Sequence, residues 1–210
     1  MKIIILFFFL LFFSSSSVLS QKNYRAITPK FGYFNPKDIP GSYLVGGSYT
    51  FRLNEFQEIG IAMEYFYYSK DRDSTINKDT NAGVTEKLKQ TDSTTTIHLV
   101  PLNLILMFRF PALKYHYYYF SGTIGYELMY YKKRRYSPER KRKSHSYRGV
   151  KLSLGTGFIY RLTVKYAIIG EIFYDIAHVT RDKNVSGAPI KGIIDLSGLS
   201  VRIGIRIGGF

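Results

Sequence analysis

The sequence predicts an all-β protein: an eight-stranded antiparallel up-and-down transmembrane β-barrel, preceded by a cleaved signal peptide. Three observations predict it. Apolar residues alternate with small or charged ones at a period of two through eight segments, the signature of strands whose faces meet different surroundings. The connections between segments alternate between short turns and long polar excursions. Beyond the leader, no stretch approaches the ~18 uninterrupted apolar residues of a spanning helix.

The first element is the leader, "MKIIILFFFLLFFSSSSVLSQ". One lysine precedes an apolar run from Ile3 to Phe13, and small residues follow to Val18-Leu19-Ser20. This is signal-peptide anatomy, so residues 1–20 are expected to be removed before Gln21 and residues 21–210 to form one barrel domain. The chain has no cysteine, which excludes a disulfide-stapled module, an acylated leader cysteine and thiolate zinc sites.

Strands are then expected at about 24–34, 43–53, 57–69, 96–110, 115–131, 149–161, 164–176 and 194–210, with boundaries good to ~2–4 residues. In "YLVGGSYTFRL", Tyr43, Val45, Tyr49, Phe51 and Leu53 oppose Leu44, Gly46, Ser48, Thr50 and Arg52. In "EIGIAMEYFYY", Ile59, Ile61, Met63, Tyr65 and Tyr67 oppose Gly60, Ala62 and Glu64. The fourth segment, "IHLVPLNLILMFRF", is apolar on both parities, and Pro101, Asn103 and Arg109 mark its polar one. In "FSGTIGYELMYY" and "GVKLSLGTGFIYRL" the polar parity holds Ser121, Thr123, Gly125 and Glu127, then Lys151, Ser153, Gly155, Gly157 and Arg161. In "GLSVRIGIRIGGF", Leu199, Val201, Ile203, Ile205 and Ile207 oppose Ser200, Arg202, Gly204, Arg206 and Gly208. Residues 54–56, 111–114 and 162–163 read as short turns; 35–42, 70–95, 132–148 and 177–193 read as long loops.

Alternation alone does not say which parity faces inward. A soluble barrel buries its apolar parity, and a membrane barrel turns it to lipid. Strands of 11–17 residues exceed the ~5–6 usual in soluble sheets and suffice for the ~9–11 of a tilted span. The polar parity mixes tiny residues with charges, which suits a narrow eight-stranded interior and not a solvated face. Aromatics on the apolar parity gather near strand ends. Tyr43, Tyr65, Tyr67, Tyr130 and Tyr174 lie toward the long loops, and Phe51, Phe108, Phe120, Tyr160 and Tyr166 toward the short turns, forming the two girdles that membrane interfaces favour. The membrane orientation is therefore expected.

With its leader, eight amphipathic strands, long loops opposite short turns and terminal Phe210, the chain resembles the small outer-membrane β-barrel family of the OmpA transmembrane-domain, OmpX and OmpW type. The resemblance implies location in the outer membrane of a diderm bacterium, contact with its lipid and lipopolysaccharide, and recognition of Phe210 by the barrel-assembly machinery. One departure stands out. "GGF" puts Phe210 off the isoleucine parity, and a bulge at Gly208-Gly209 would restore it.

Two constellations stand out as candidate sites. The third long excursion, "KKRRYSPERKRKSHSYR", holds Lys132, Lys133, Arg134, Arg135, Arg140, Lys141, Arg142, Lys143 and Arg148 against Glu139 alone, in a chain whose formal net charge is +15. Such a density concentrates polyanions, and arginine binds phosphate through paired donors. Lipopolysaccharide is the expected partner and nucleic acid is not; the bland alternative is a solvated loop. The second constellation shares the inward parity: Glu64, Glu127, Glu171 and Asp175 with Lys30, Arg52, Arg109, Lys151, Arg161, Arg202 and Arg206. A structural plug is expected there, with pairs such as Glu127–Lys151 and Glu171–Arg202, because eight strands enclose no wide channel.

Chemistry is thinly represented. His98, His116, His145 and His178 fall in no metal-ligand spacing, and no metal, cofactor or catalytic residue is expected. "YDIAHVTRDKN" is only loosely similar to barrel lipid A deacylases, with Thr180 in place of the serine and Arg181 in place of the asparagine. A non-enzymatic surface scaffold is the leading reading, a monomer favoured. A narrow channel for small hydrophobic or ionic solutes is the alternative, and a lipid A-modifying hydrolase ranks third.

Overall fold

The computed structural model describes residues 24–79, 85–113, 115–136, 142–185 and 188–208. Its strands are β1 (Arg25–Pro36), β2 (Ser42–Arg52), β3 (Gln57–Asp79), β4 (Thr85–Leu113), β5 (His116–Arg135), β6 (Arg142–Arg161), β7 (Tyr166–Val185), β8 (Ala188–Asp195) and β9 (Gly198–Gly208). β1 to β7 pair in sequence order, each antiparallel to the next, and β9 pairs with both β7 and β1 to close the wall. β8 and β9 keep one register along β7, with His178 opposite Asp195 and Asp175 opposite Gly198. They are one strand interrupted at Leu196-Ser197, so the barrel has eight strands. At the interruption Leu196 turns fully inward, and the Ser197 hydroxyl accepts the Ala177 N–H at 3.2 Å.

The period of two becomes an inside-out distribution of burial. On β9 Ile203 is 58% exposed while Arg206 is 1% exposed, the reverse of what water would select. β1 repeats it: Ile27, Phe31 and Tyr33 are bare, and Ala26, Thr28 and Lys30 are buried. β4 takes the phase its polar markers indicate, with Asn103 and Arg109 buried and Leu102 and Leu104 exposed. Only hydrocarbon accommodates a continuous apolar wall of this kind. Tyr43, Tyr65, Tyr67, Tyr130 and Tyr174 are exposed toward the long-loop end, and Phe51, Phe120, Tyr160 and Tyr166 toward the short turns. An open apolar depression of about 1060 Å³ lies on this outer wall between Tyr49, Met63, Leu102 and Tyr126; its surroundings are acyl chains.

Three expectations need correcting. The excursions at 70–95, 132–148 and 177–193 are largely strand. The β3–β4 ladder continues to Asp79 opposite Thr85, β5–β6 to Arg134 opposite Arg142, and β7–β8 to Val185 opposite Ala188. Beyond the bilayer both faces of a hairpin are wet, so alternation fades while the backbone ladder runs on. The β3–β4 ladder carries a register shift at Arg72/Asp73, the mark of a β-bulge. The last strand is interrupted where 194–210 was expected to be continuous.

The third correction concerns the interior, which is layered. Toward the long loops Phe34, Leu44, Phe66, Leu99, Met129 and Leu196 pack into an apolar stopper, and a second apolar cluster holds Ile105, Met107, Tyr119, Ile159 and Ile169. Charges occupy the levels between and below.

Gly32 and Gly208 illustrate why the wall uses glycine. At Gly32 a β-carbon would run into the Val201 carbonyl oxygen on β9 and lie 2.9 Å from Arg202 Cγ, so the adjacent strand occupies the place of a side chain. Gly208 has φ of +83°, the left-handed region that glycine enters without strain. The phase of Phe210 lies outside the described residues, as do residues 1–20.

Candidate functional site: the lumen charges and the basic hairpin

Among the described residues, five carboxylates and five cations are buried in the lumen: Glu58, Glu64, Glu127, Glu171 and Asp175 with Lys30, Arg109, Lys151, Arg202 and Arg206. They form three groups. Below the apolar stopper, Arg202 NH1 lies 3.1 Å from Glu64, and Lys151 Nζ lies 3.0 Å from Asp175 and 3.5 Å from Glu127. Midway, Lys30 Nζ donates to Glu171 at 2.7 Å, and the Tyr119 hydroxyl donates to the same oxygen at 2.6 Å. Near the short turns Glu58 accepts from Arg206 at 2.8 and 2.9 Å, pairs with Arg109 at 3.0 Å, and accepts the Thr50 hydroxyl at 3.1 Å.

Aromatic faces hold the cations as well. Lys151 Nζ lies 5.5 Å from the Phe34 ring centre, and the Arg202 guanidinium lies 4.7 Å from that of Phe173, both within cation–π range. Balance in number, short distances and ring contacts are what charges need where water is scarce. A cavity of about 10 Å³ remains between Phe34, Phe66, Glu64 and Arg202, about the volume of one water-sized sphere.

The sequence-derived set maps onto this network unevenly. Glu127 and Lys151 pair as expected. Glu171 and Arg202 face each other in register, but their ion pairs lie elsewhere: Glu171 with Lys30, and Arg202 with Glu64 and Asp175. The long guanidinium stem reaches across the narrow barrel past its ladder neighbour. Arg52 and Arg161 sit at the short-turn rim, half-buried. Arg52 stacks 5.0 Å from the Tyr24 ring, and Arg161 Nε donates to the Thr163 carbonyl at 3.2 Å. Sequence reasoning missed Glu58, although it shares the parity of Gly60, Ala62 and Glu64; its place at the strand start hid it. It also missed Tyr119, a fully buried phenol in a tyrosine run whose neighbours face lipid.

The basic segment is part of the β5–β6 hairpin. Lys132 and Arg134 continue the lipid-facing side of Tyr130, while Lys133 continues the other side. The register sets Lys133 opposite Lys143 and Arg134 opposite Arg142, pairings that repel across a ladder. Arg148 lies exposed opposite Leu128. Arg135, Arg142 and Lys143 are described by backbone alone, and Arg140 and Lys141 lie outside the described residues.

At the long-loop rim, Asp195 gathers a small polar clasp. Its carboxylate accepts the Ser197 N–H at 2.9 Å, and lies 3.4 Å from Lys37 Nζ and 3.6 Å from His178 Nε2. Hydrogen bonds from Ser197 hold its pKa down to about 2, with smaller help from Lys37 and His178. His178 thus has a carboxylate neighbour that the sequence did not reveal. Among the described residues no group of three or more His, Cys, Asp or Glu side chains is placed to hold a metal ion.

No protein-family model and no curated protein matches this chain. Solved structures do. Neisserial surface protein A aligns with a TM-score of 0.58 and 9% identity, over 90% of this chain and 100% of its own. Ail of Yersinia pestis, in complex with the heparin analogue sucrose octasulfate, aligns at 0.54 with 9% identity, over 90% and 99%. Outer membrane protein W of E. coli aligns at 0.54 with 11% identity, over 90% and 99%. The chain therefore has the fold of the small outer-membrane β-barrels.

Proposed function

We propose that this protein resides in the outer membrane as a non-enzymatic barrel and works as a surface scaffold, presenting its basic hairpin to lipopolysaccharide or other polyanions. One contrast carries the reading: each buried lumen cation has a carboxylate within about 4 Å, whereas the segment 132–148 holds nine cations against Glu139 alone. Unmatched exposed cations raise a local positive potential and draw in anions. The complex of Ail with a polysulfated heparin analogue supports the idea that a barrel of this fold holds such a ligand. The channel reading is weaker, because ion pairs and apolar side chains occupy the described lumen.

The test is binding of heparin and of purified lipopolysaccharide to the full chain in detergent micelles. The comparison variant replaces Lys132, Lys133, Arg134, Arg135, Arg140, Lys141, Arg142 and Lys143 with serine. Wild-type binding that weakens with added salt and is lost in the variant supports the proposal; equal binding by both contradicts it. Planar-bilayer recording adds a second arm. Stable single-channel steps altered by Glu64→Gln would favour a conducting pore instead.

A further inference from the structure

We infer that the outward face of the β5–β6 hairpin is a headgroup site, which binds the phosphate of a phosphorylated lipid anchored in the same leaflet. The inference rests on the polyanion reading and narrows it to one face and one source. Parity carries it. Leu128 and Tyr130 lie on the lipid side of β5, and the next residues on that side are Lys132 and Arg134. At ~3.4 Å per residue these cations stand about 7 and 14 Å beyond Tyr130 along the strand. With a strand tilt near 45° that is roughly 5 and 10 Å above the girdle, the depth of the headgroup layer.

The neighbours complete the face. Thr96 and Ser144 flank Lys132 in register, and Thr94 lies opposite Arg134, supplying hydroxyl donors beside each cation. Arg148, exposed opposite Leu128, sits below Lys132 on the adjacent strand, where its stem can lie along apolar surface while its head rises toward phosphate. Above it, the Thr94 hydroxyl lies 3.5 Å from the Tyr136 hydroxyl. Hydrogen bonds from Thr94 and Arg134 hold the Tyr136 phenol below its ordinary range, against an opposing contribution from Asp71. That corner favours negative charge. Along this face the surface runs apolar, aromatic, then cationic, in the order that a leaflet runs hydrocarbon, interface, phosphate. A membrane-anchored phosphate approaches from the side and meets Lys132, Arg134 and Arg148. Lys133, on the other parity, is turned away from it.

The experiment uses the full chain in detergent micelles and native mass spectrometry. The probes are bisphosphorylated lipid A, its dephosphorylated form, and sucrose octasulfate as a soluble polyanion. The variants are Lys132→Ser/Arg134→Ser and Lys133→Ser, each confirmed as folded by heat-modifiable gel migration. Wild type is expected to prefer the phosphorylated lipid, and the outward double variant to lose about tenfold in affinity for it, as two charge-assisted contacts warrant. Lys133→Ser is expected to lose less than about twofold, the scale of an exposed charge acting at a distance. Equal lipid losses in both variants, or no preference for the phosphorylated form, would overturn the headgroup site. Octasulfate binding that persists under that result leaves the broader polyanion reading standing, and a wild type that binds neither probe takes both down.

Discussion

The lumen and the β5–β6 hairpin use the same side chains under opposite rules. Inside, Glu58 is shared by Arg109 and Arg206, and every cation named there has a carboxylate within about 3–4 Å. On the hairpin, the backbone register sets Lys133 opposite Lys143 and Arg134 opposite Arg142. The interior tolerates charge only in matched sets, because desolvation penalises each unmatched ion. The hairpin tolerates like charges side by side, because water and salt screen them. Charge count therefore says little about role. Whether a charge is matched, and what surrounds it, says much more.

The largest effect should come from unmatching the interior. Glu58→Ala leaves Arg109 and Arg206 buried without their shared carboxylate, and about 3–5 kcal/mol of stability should be lost. Urea titration of the refolded barrel in lipid vesicles, followed by the heat-modifiable band, measures it; a loss below about 1 kcal/mol, the range of exposed pairs, would erase the contrast. Overpacking comes next. Gly32→Val places side-chain atoms against the Val201 carbonyl and Arg202 on β9, and about 1–3 kcal/mol should be lost in the same titration.

The hairpin should behave differently. Lys133→Ser combined with Arg134→Ser should change stability by no more than about 0.5 kcal/mol, since the residues stand outside the packed barrel. Any change should be toward stability as repulsion is relieved. The smallest effect concerns Asp195, whose carboxyl is held at about 2, below the ordinary 3.8 of an aspartate. A depressed carboxylate contributes stability that is present above its unfolded pKa and is lost as pH falls through its folded one. The contacts of Asp195 with Lys37 and Ser197 should therefore persist at pH 5 and loosen between about pH 4 and 2. Amide exchange at Lys37 and Asp38, whose N–H groups bond Ser197 and Asp195 carbonyls, reports it.

The contrast also marks how far the sequence could be read. Strand identity, phase and in–out orientation were legible because lipid on one side and a narrow axis on the other impose a strict two-residue contrast. Even β4, apolar on both parities, was phased correctly by Pro101, Asn103 and Arg109. Above the girdles the contrast vanishes, and there Thr94, Thr95 and Lys132 to Arg135 read as loop although they continue the ladder. Partner choice in the lumen was half legible. Lys151 finds Glu127 on a neighbouring strand, but Lys30 reaches Glu171 and Arg206 reaches Glu58 across the barrel, pairings that adjacency along the ladder does not encode. The apolar stopper was hidden for another reason: Phe34, Leu44 and Leu99 lie on the inward parity near strand ends, where a large apolar residue looks like an irregularity in the pattern.

Site-directed spin labelling in lipid vesicles tests the orientation on which all this depends, and the absence of native cysteine permits single introduced thiols. Labels at Ile124→Cys, Leu152→Cys and Val201→Cys should collide freely with membrane-dissolved oxygen, and labels at Ser121→Cys, Ser153→Cys and Ser200→Cys should not. Oxygen accessibility that is equal at the two sets, or higher at the serine positions, would contradict a barrel with its apolar side chains in lipid and its charges around the axis.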